Sequence, residues 1–388
     1  MTEKPIYLDY NATTPLDPEV VAAMKPFLAE RFGNPSSSHR YGLEAKSAVE
    51  HARAQVAALL FCQPEELIFT SGGTESNNAA IKGIAWARRP VGNHIITSQV
   101  EHSSVTEVCR FLERHGFDVT YLPVDEAGRV RLEDIEAAIR PETILISVMH
   151  ANNEVGLFQP LEAIVHLAHD RGVVVHTDAA QTAGKIPTDA GLLGVDLLSL
   201  AGHKIYAPKG IGALYVRSGL TLEPLLHGGG QEFGQRPGTE NVLEIVGLGA
   251  ACEAMKRDLH RNYAHLRDLR NRLCHGLRQS VPEIRINCDL NHSVPNTLSV
   301  CFRGVDSPVL LGAIHERVAA STGSACHSHE ARVSSVLEAM NVPMEWARGT
   351  VRFSVGKFTT VDEVDRAIEC VAGAVQEFRK RSFARSHD

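Results

Sequence analysis

The sequence lacks long hydrophobic runs: none of its 388 residues belongs to a stretch approaching the ~18 uninterrupted apolar residues that a membrane-spanning helix requires. Its first ten residues, MTEKPIYLDY, contain no apolar segment of the kind found in secretory signals. The sequence also lacks an excess of basic residues, because it contains 39 lysines and arginines but 46 aspartates and glutamates. We therefore expect a cytoplasmic protein that binds neither membranes nor nucleic acids and whose partners are small molecules or proteins.

Cysteine occurs eight times, but the sequence contains no CxxC pair and no close disulfide framework, so reduced thiols are expected. Cys326 differs from the others in its surroundings, the small and polar run STGSACHSH (321–329). Cys252 and Cys301 have apolar neighbours, as inert core thiols do. Reactivity requires access and a stabilised thiolate, which an adjacent protonated histidine promotes, so Cys326 is the candidate nucleophile. A loop cysteine without function is the plainer alternative.

Length and periodicity predict a two-domain α/β protein. A chain of 388 residues exceeds the ~250–300 residues at which single hydrophobic cores stop growing. Residues 15–255 are predicted to form a large domain, and residues 1–14 and 256–388 a smaller α+β domain. In the large domain, short apolar runs alternate with helical patterns and predict buried strands at 66–70, 94–98, 143–148, 172–176 and 195–199. In the small domain, the segments 296–302 and 350–355 alternate like half-buried strands.

A polar run follows each predicted strand of the large domain. These runs are SGGTESNN (71–78), EH (101–102), HANNE (150–154), DAAQ (178–181) and AGHK (201–204). In an open α/β sheet, ligands bind beyond the carboxyl ends of the strands. We therefore expect the five runs to converge on one site.

The residue types in these runs indicate a specific chemistry. The run 71–78 joins a strand to a helical pattern, where backbone N–H groups and the helix dipole favour a phosphate. Asp178 ends an apolar run and suits a cation such as a pyridinium nitrogen, while Lys204 is the candidate Schiff-base lysine. His102 is placed to stack on an aromatic cofactor and to exchange protons. Taken singly, these residues also fit a capped turn, a helix cap, a solvated loop lysine and a structural histidine.

The motifs in this order resemble those of cysteine desulfurases of the NifS/IscS type, which are pyridoxal-phosphate (PLP) enzymes of the class V aminotransferase family. The resemblance also covers YLDYNATTP (7–15), RFGNPSSSH (31–39), GHKIYAPKGIGALYV (202–216), RPGTENV (236–242), GSAC (323–326) and VRFSVG (351–356). It runs nearly from end to end of the chain.

The resemblance implies an α/β, aspartate-aminotransferase-like fold of type I, with a large, mainly parallel sheet domain, a small α+β domain and a homodimeric assembly. It also implies a role for each matching residue. Gly73, Thr74 and His203 would hold the PLP phosphate, Thr239 the phosphate of the partner subunit's cofactor, Asp178 the pyridinium, Gln181 the ring hydroxyl, Lys204 the Schiff base, and Asn152 and Arg352 the substrate carboxylate.

By the same resemblance, the reaction converts L-cysteine to L-alanine. Lys204, assisted by His102, would move the α-proton, and the thiolate of Cys326 would attack the substrate sulfur. The sulfur would remain on Cys326 as a persulfide until it passes to an acceptor protein, such as an iron–sulfur scaffold or a component of a thiolation pathway. No metal is implied.

The sequence departs from the family pattern and leaves alternatives open. Ala201 stands where related sequences commonly have a serine before Gly-His-Lys, so a hydroxyl donor to the phosphate is missing and cofactor affinity is expected to be weaker. The first alternative is a selenocysteine lyase, which shares the fold, the cofactor and the Cys-His-Ser motif. Two further alternatives are a metal site formed by Cys326, His327 and His329, and a non-catalytic scaffold in sulfur trafficking.

Overall fold

The computed structural model describes residues 4–322 and 333–385, and these ranges contain twelve strands. Their bounds are β1 Ile6–Tyr7, β2 Leu67–Thr70, β3 His94–Ser98, β4 Asp118–Leu122, β5 Thr143–Ser147, β6 Val174–Asp178, β7 Leu197–Ala201, β8 Gly212–Val216, β9 Ile284–Ile286, β10 Thr297–Phe302, β11 Val318–Ala319 and β12 Thr350–Ser354.

Fourteen α-helices lie in the same ranges, and none of them is long and apolar enough to cross a membrane. Their bounds are α1 Pro18–Met24, α2 Pro26–Ala29, α3 Arg40–Leu60, α4 Gly73–Ala87, α5 Ser103–Glu113, α6 Leu132–Ala138, α7 Leu161–His169, α8 Ala190–Leu193, α9 Val242–Arg257, α10 Leu259–Ser280, α11 Ser307–Ile314, α12 Ser335–Ala339, α13 Met344–Ala347 and α14 Val361–Arg385.

A seven-stranded sheet forms the centre of the molecule, in the order β2-β8-β7-β6-β5-β3-β4. Only β8 runs antiparallel to its neighbours, so the other six strands share one direction and their carboxyl ends lie at one edge. Alternate residues of β6 and β7 enter different hydrophobic clusters, Val174 and Leu197 on one face and Val175 and Leu198 on the other. Both faces are therefore covered, as the apolar β-branched runs predict, and the α/β class is confirmed.

Helices α3 and α9 pack closely against each other because small residues lie at their contact. A Cβ on Gly249 would lie only 2.7 Å from the backbone and side chain of Ala52. Any larger residue at position 249 would force the two helices apart.

The three-stranded sheet, in the order β12-β10-β9, belongs to a second hydrophobic core. Leu298, Val300 and Phe302 enter this core, whereas Cys301 enters the main cluster of the large domain. Strands β10 and β12 are buried along their whole length, so the prediction of half-buried strands was wrong. The alternating polar residues are buried with hydrogen-bond partners; Ser299 Oγ, for example, accepts from Asn287 Nδ2 at 2.9 Å.

Two strand predictions ended too early. Strands β6 and β7 run to Asp178 and Ala201, two residues beyond the predicted segments 172–176 and 195–199. The ladder continues there because Asp178 pairs with Ser199 in the adjacent strand, a contact that the apolar pattern does not reveal. Helix α9 ends at Arg257 and α10 begins at Leu259, near the predicted boundary at residue 255, and the domain limits themselves stay a prediction.

Candidate active site

A cavity of about 1270 Å³ opens at the carboxyl edge of the large sheet. It is bordered by residues that follow strands of the seven-stranded sheet, by the segment that follows β1, and by residues of β12 and α12. Eight of the predicted site residues line it: Gly73, Thr74, His102, Asp178, Gln181, His203, Lys204 and Arg352.

The start of helix α4 forms one wall of the cavity. Gly72 precedes the helix with a φ of 147°, a conformation that favours glycine, and the space where its Cβ would stand is open. The first N–H groups of a helix have no partner within the helix and carry the positive end of its dipole. A Cβ on Gly73 would lie only 3.2 Å from the side chain of Ala201 at the end of β7. Glycine at position 73 therefore allows the start of α4 to lie close to β7. The arrangement suits a phosphate group.

Asp178 ends β6 with its carboxylate at the cavity. Its Oδ2 accepts a hydrogen bond from Asn77 Nδ2 at 2.7 Å, and its Oδ1 accepts from the backbone N–H of Ala180 at 2.9 Å. The residue is 8% exposed, and its two hydrogen bonds come from neutral groups. A buried carboxylate of this kind is stabilised by a cation in the cavity, and a protonated ring nitrogen has the right charge and hydrogen-bonding character.

His102 caps helix α5 and is linked to Asp178 through neighbouring side chains. Its Nδ1 accepts from the N–H of Ser104 at 3.2 Å, which places the proton of the neutral ring on Nε2. Ser104 Oγ lies 2.8 Å from this Nδ1 and also 2.8 Å from Asn77 Nδ2. Asn77 therefore joins the predicted histidine to the predicted aspartate. The sequence contained a signal for this role, because Asn77 lies one helical turn after Gly73.

Lys204 lies in a short 3₁₀ turn directly after β7. Its Nζ donates to the backbone carbonyls of Asn11 at 2.5 Å and Ala12 at 2.8 Å. Burial, followed by the nearby cation of Arg352, lowers the pKa of Lys204 to about 8. Burial and neighbouring cations also lower the pKa of His203 to about 4, which keeps that ring neutral. The site thus contains an amine that is partly unprotonated near neutral pH.

We expect the Lys204 amine to react with its midpoint near pH 8. In cofactor-free protein treated with an acylating reagent, modification of Lys204 should reach half its maximal rate near that pH, as followed by peptide mass spectrometry. An ordinary lysine, with a pKa of 10.5, would still gain reactivity steeply at pH 9. Because the unfolded chain binds this proton more tightly, the free energy of unfolding should also rise between about pH 8 and pH 10.5. If the rate of Lys204 modification instead had its midpoint near pH 10.5, the amine would be solvated and its pKa would not be lowered.

Arg352 projects from β12 and is buried, with 4% of its surface exposed. Its Nη2 lies 2.9 Å from Asp9 Oδ1, and its Nη1 donates to the carbonyl of Asn153 at 3.0 Å. The guanidinium of Arg352 extends from β12 to the edge of the cavity. A guanidinium group is well suited to bind a carboxylate ligand. Asn153 belongs to the polar run 150–154 that was predicted to converge on the site. The sequence patterns gave Asp9 no role, because it meets Arg352 only through tertiary packing.

Asn152 does not line the cavity, although the family resemblance implies that it binds the substrate carboxylate. Its side chain is fully buried, its Nδ2 donates to the carbonyl of Val100, and its Oδ1 accepts from the N–H groups of Glu154 and Val155. These bonds hold the turn after β5. The adjacent Asn153 lines the cavity instead.

Thr239 and Cys326 are the two remaining predicted site residues. Thr239 is exposed and does not line the cavity of its own chain. Cys326, with its neighbours His327 and His329, lies outside the described residues. Within the described ranges, no cluster of three or more His, Cys, Asp or Glu side chains could hold a metal ion.

Comparison with known proteins identifies the family. Residues 6–367 match the model of the aminotransferase class-V family. The cysteine desulfurase IscS of Dictyoglomus turgidum is 46% identical over 97% of this chain and 96% of its own. A solved NifS-like protein superposes with a TM-score of 0.90 at 38% identity, covering 96% of this chain and all of that one. SspA in complex with cysteine superposes with a TM-score of 0.78, also at 38% identity, covering 92% of this chain and all of that one. The chain therefore belongs to the class-V aminotransferase family and, within it, to the cysteine desulfurases of the IscS type.

Proposed function

We propose that this protein is a PLP-dependent cysteine desulfurase that converts L-cysteine to L-alanine and passes the sulfur to an acceptor protein. The observation that carries the proposal is that Lys204, Asp178 and the start of α4 face one cavity. An amine, a buried carboxylate and a helix N-terminus are the three groups that an aldehyde-bearing, phosphorylated pyridine requires. The family of the chain and the cysteine bound by the solved relative SspA support the same reaction.

The residues of the cavity fit PLP well. Gly73, Thr74 and His203 would hold its phosphate, Asp178 its ring nitrogen and Gln181 its ring hydroxyl, with His102 stacked on the ring. When bound, the cofactor supplies an electron-withdrawing ring that makes the α-proton of the attached amino acid acidic and favours cleavage at its β-carbon. Ala201 offers the phosphate no hydroxyl, so the start of α4 contributes a larger share of the binding.

Lys204 would act as the base for the substrate α-proton. With its pKa lowered to about 8, a useful fraction of the amine is unprotonated near neutral pH. The carbonyls of Asn11 and Ala12 hold Nζ at the cavity floor. The Nε2 of His102 carries the proton of the neutral ring. It would assist the transfer of the α-proton from the side of the cavity opposite Lys204.

Arg352 would bind the substrate carboxylate. Its contact with Asp9 holds the guanidinium at the cavity edge, and the arriving carboxylate would compete with Asp9 for it. We assign the neighbouring amide contact to Asn153 rather than Asn152, because the Asn152 side chain is committed to the turn after β5.

Cys326 would carry out the sulfur transfer. Its thiolate attacks the substrate sulfur, an S–S bond forms, and the C–S bond breaks with its electron pair remaining on the carbon that becomes the methyl group of alanine. The resulting persulfide is the donor for an acceptor such as an iron–sulfur scaffold.

A second copy of the chain would complete the site. The segment 227–239, which contains five glycines and precedes α9, is fixed to its own subunit. The buried Glu232 in this segment pairs with Arg53 at 2.6 Å and accepts from the N–H of Phe69. Thr239, farther along the segment, stays exposed, as a residue acting in a partner's site would be. The exposed Leu28 and Phe32, at 69% and 73%, offer apolar surface for such a dimer.

Product analysis tests the proposed function directly. The purified protein, incubated with L-cysteine and a thiol reductant, should form alanine and sulfide in equal amounts and should show the absorbance of bound PLP. Parallel incubation with L-selenocysteine separates the alternatives. Efficient turnover of selenocysteine alone would make the protein a selenocysteine lyase, and the absence of alanine from both substrates would overturn the proposal.

A further inference from the structure

Lys185 is a second lysine near the cavity, and the proposed mechanism does not use it. It lies just beyond the run 178–181, and its side chain is buried, with 6% of its surface exposed. Its Nζ donates a hydrogen bond to Gln181 Oε1 at 2.9 Å. The charged groups that act on it most strongly are the cations Lys204 and Arg352. A buried lysine that faces cations needs an explanation.

Gln181 connects Lys185 to the cavity. Because Lys185 uses the amide oxygen, the amide nitrogen points the other way and donates to the backbone carbonyl of Asn11 at 3.2 Å. The same carbonyl accepts the hydrogen bond from Lys204 Nζ. The four residues thus form a continuous chain, Lys185 to Gln181 to Asn11 to Lys204, and Gln181 and Lys204 also line the large cavity.

Burial of Lys185 is costly for the fold. Transfer of an ammonium group out of water is unfavourable unless a charge compensates it, and here burial lowers the pKa of Lys185 to about 7. A methionine would fill a similar volume without this cost. An amine, however, remains a hydrogen-bond donor whether or not it is protonated, so it can hold the Gln181 oxygen in both states.

We propose that Lys185 is a positioning residue that fixes the orientation of the Gln181 amide and, through the carbonyl of Asn11, the position of the Lys204 amine. The inference rests on the proposed function, in which Gln181 and Lys204 both contact the cofactor. In that site, the orientation of the amide decides whether a donor or an acceptor faces the ring hydroxyl. Lys185 holds the donor there.

A double-mutant cycle on the holoenzyme tests this role. Lys185→Met should speed the loss of the cofactor absorbance on dilution by about threefold to tenfold, as expected for one lost hydrogen bond, and should shift the pH midpoint of that absorbance. In a Gln181→Ala background, the same substitution should change both quantities less than twofold, because the amide through which it acts is gone. Lys357→Met is the matched control. Lys185 and Lys357 both line a second, small cavity, which shares Lys204 with the large one. Lys357 pairs with Asp17, so its loss should lower the melting temperature and leave the midpoint unchanged.

The outcomes separate this inference from the proposed function. If Lys185→Met had equal effects in the wild-type and Gln181→Ala backgrounds, or no effect in either, the positioning role would be overturned. The proposed function would still stand, because the wild type would keep its cofactor absorbance. If the wild type showed no such band, the proposed function would fail and this inference with it. Should Lys185→Met not fold, Lys185→Gln keeps a polar side chain that is too short to bring its N–H donor to Gln181 Oε1. It is expected to show the same dependence on Gln181, and an effect independent of Gln181 would count against the role.

Discussion

Lys204→Ala should lower kcat/KM for L-cysteine by at least about 10³-fold. General base catalysis alone contributes about 10²–10⁴-fold, and the variant also loses the amine that attaches the cofactor. Folding should be little affected, since the amine makes its contacts with two backbone carbonyls at the cavity edge. Alanine formation with L-cysteine, together with the melting temperature, measures both effects.

The control for this prediction is Lys46→Ala, which removes an exposed lysine of α3 that does not line the cavity. Its activity should stay within about twofold of the wild type, as for most surface substitutions. Borohydride reduction should attach the cofactor covalently to the wild type and to Lys46→Ala but not to Lys204→Ala. If Lys204→Ala kept more than a tenth of the activity, another group would have to be the base.

The sequence allowed the edge of the sheet to be predicted, because five of its seven strands, β2, β3, β5, β6 and β7, are fully buried. Uninterrupted β-branched runs mark such strands without reference to the rest of the fold, and the polar residues that follow them mark the carboxyl ends. Gly73, Asp178 and Lys204 were found in this way. Each lies at or directly after a strand end, where local pattern and three-dimensional position coincide.

Contacts between distant segments could not be predicted in this way. Asn11 holds Lys204 across 193 residues, and Asp9 meets Arg352 across 343 residues. Hydrophobic periodicity describes which face of an element is buried, not which loops meet. Lys185 shows the same limit, because a lysine beside a glycine and before a proline resembles a solvated turn residue. It lines the small cavity together with Tyr10, Met255 and Leu266, which come from distant elements.

Polar alternation was misleading in the small domain for a related reason. A strand with small polar residues at every second position usually turns that face to water. In β10 this face lies between two hydrophobic cores, and its hydroxyl groups bond to neighbouring side chains. The sequence shows the alternation but not the packing on both faces of β10 that buries it.

Cys326→Ala should abolish sulfur transfer while leaving the earlier proton transfer intact. Burial raises the pKa of every cysteine in the described part of the chain; the pKa of the partly exposed Cys62 rises to about 12 and that of Cys288 to about 11. A thiol with a pKa of about 12 is ionised in only about one molecule in 10⁴ at pH 8, which is too little for an efficient nucleophile. Burial disfavours the thiolate at all seven of these positions, most clearly at Cys62, so Cys326 is the candidate nucleophile that they leave.

The two steps can be measured separately with the same set of variants. Sulfide release from L-cysteine should fall at least about 10²-fold in Cys326→Ala and stay within about twofold in Cys62→Ala, the matched control. Exchange of the α-proton of L-alanine in D₂O, followed by NMR, should continue in both cysteine variants and stop in Lys204→Ala, because proton removal needs the amine but not the thiol. Retention of sulfide release in Cys326→Ala would show that sulfur leaves the substrate without passing through a cysteine persulfide. Loss of proton exchange in that variant would instead mean that position 326 supports the cavity itself, since a thiol that acts only on sulfur has no part in moving the α-proton.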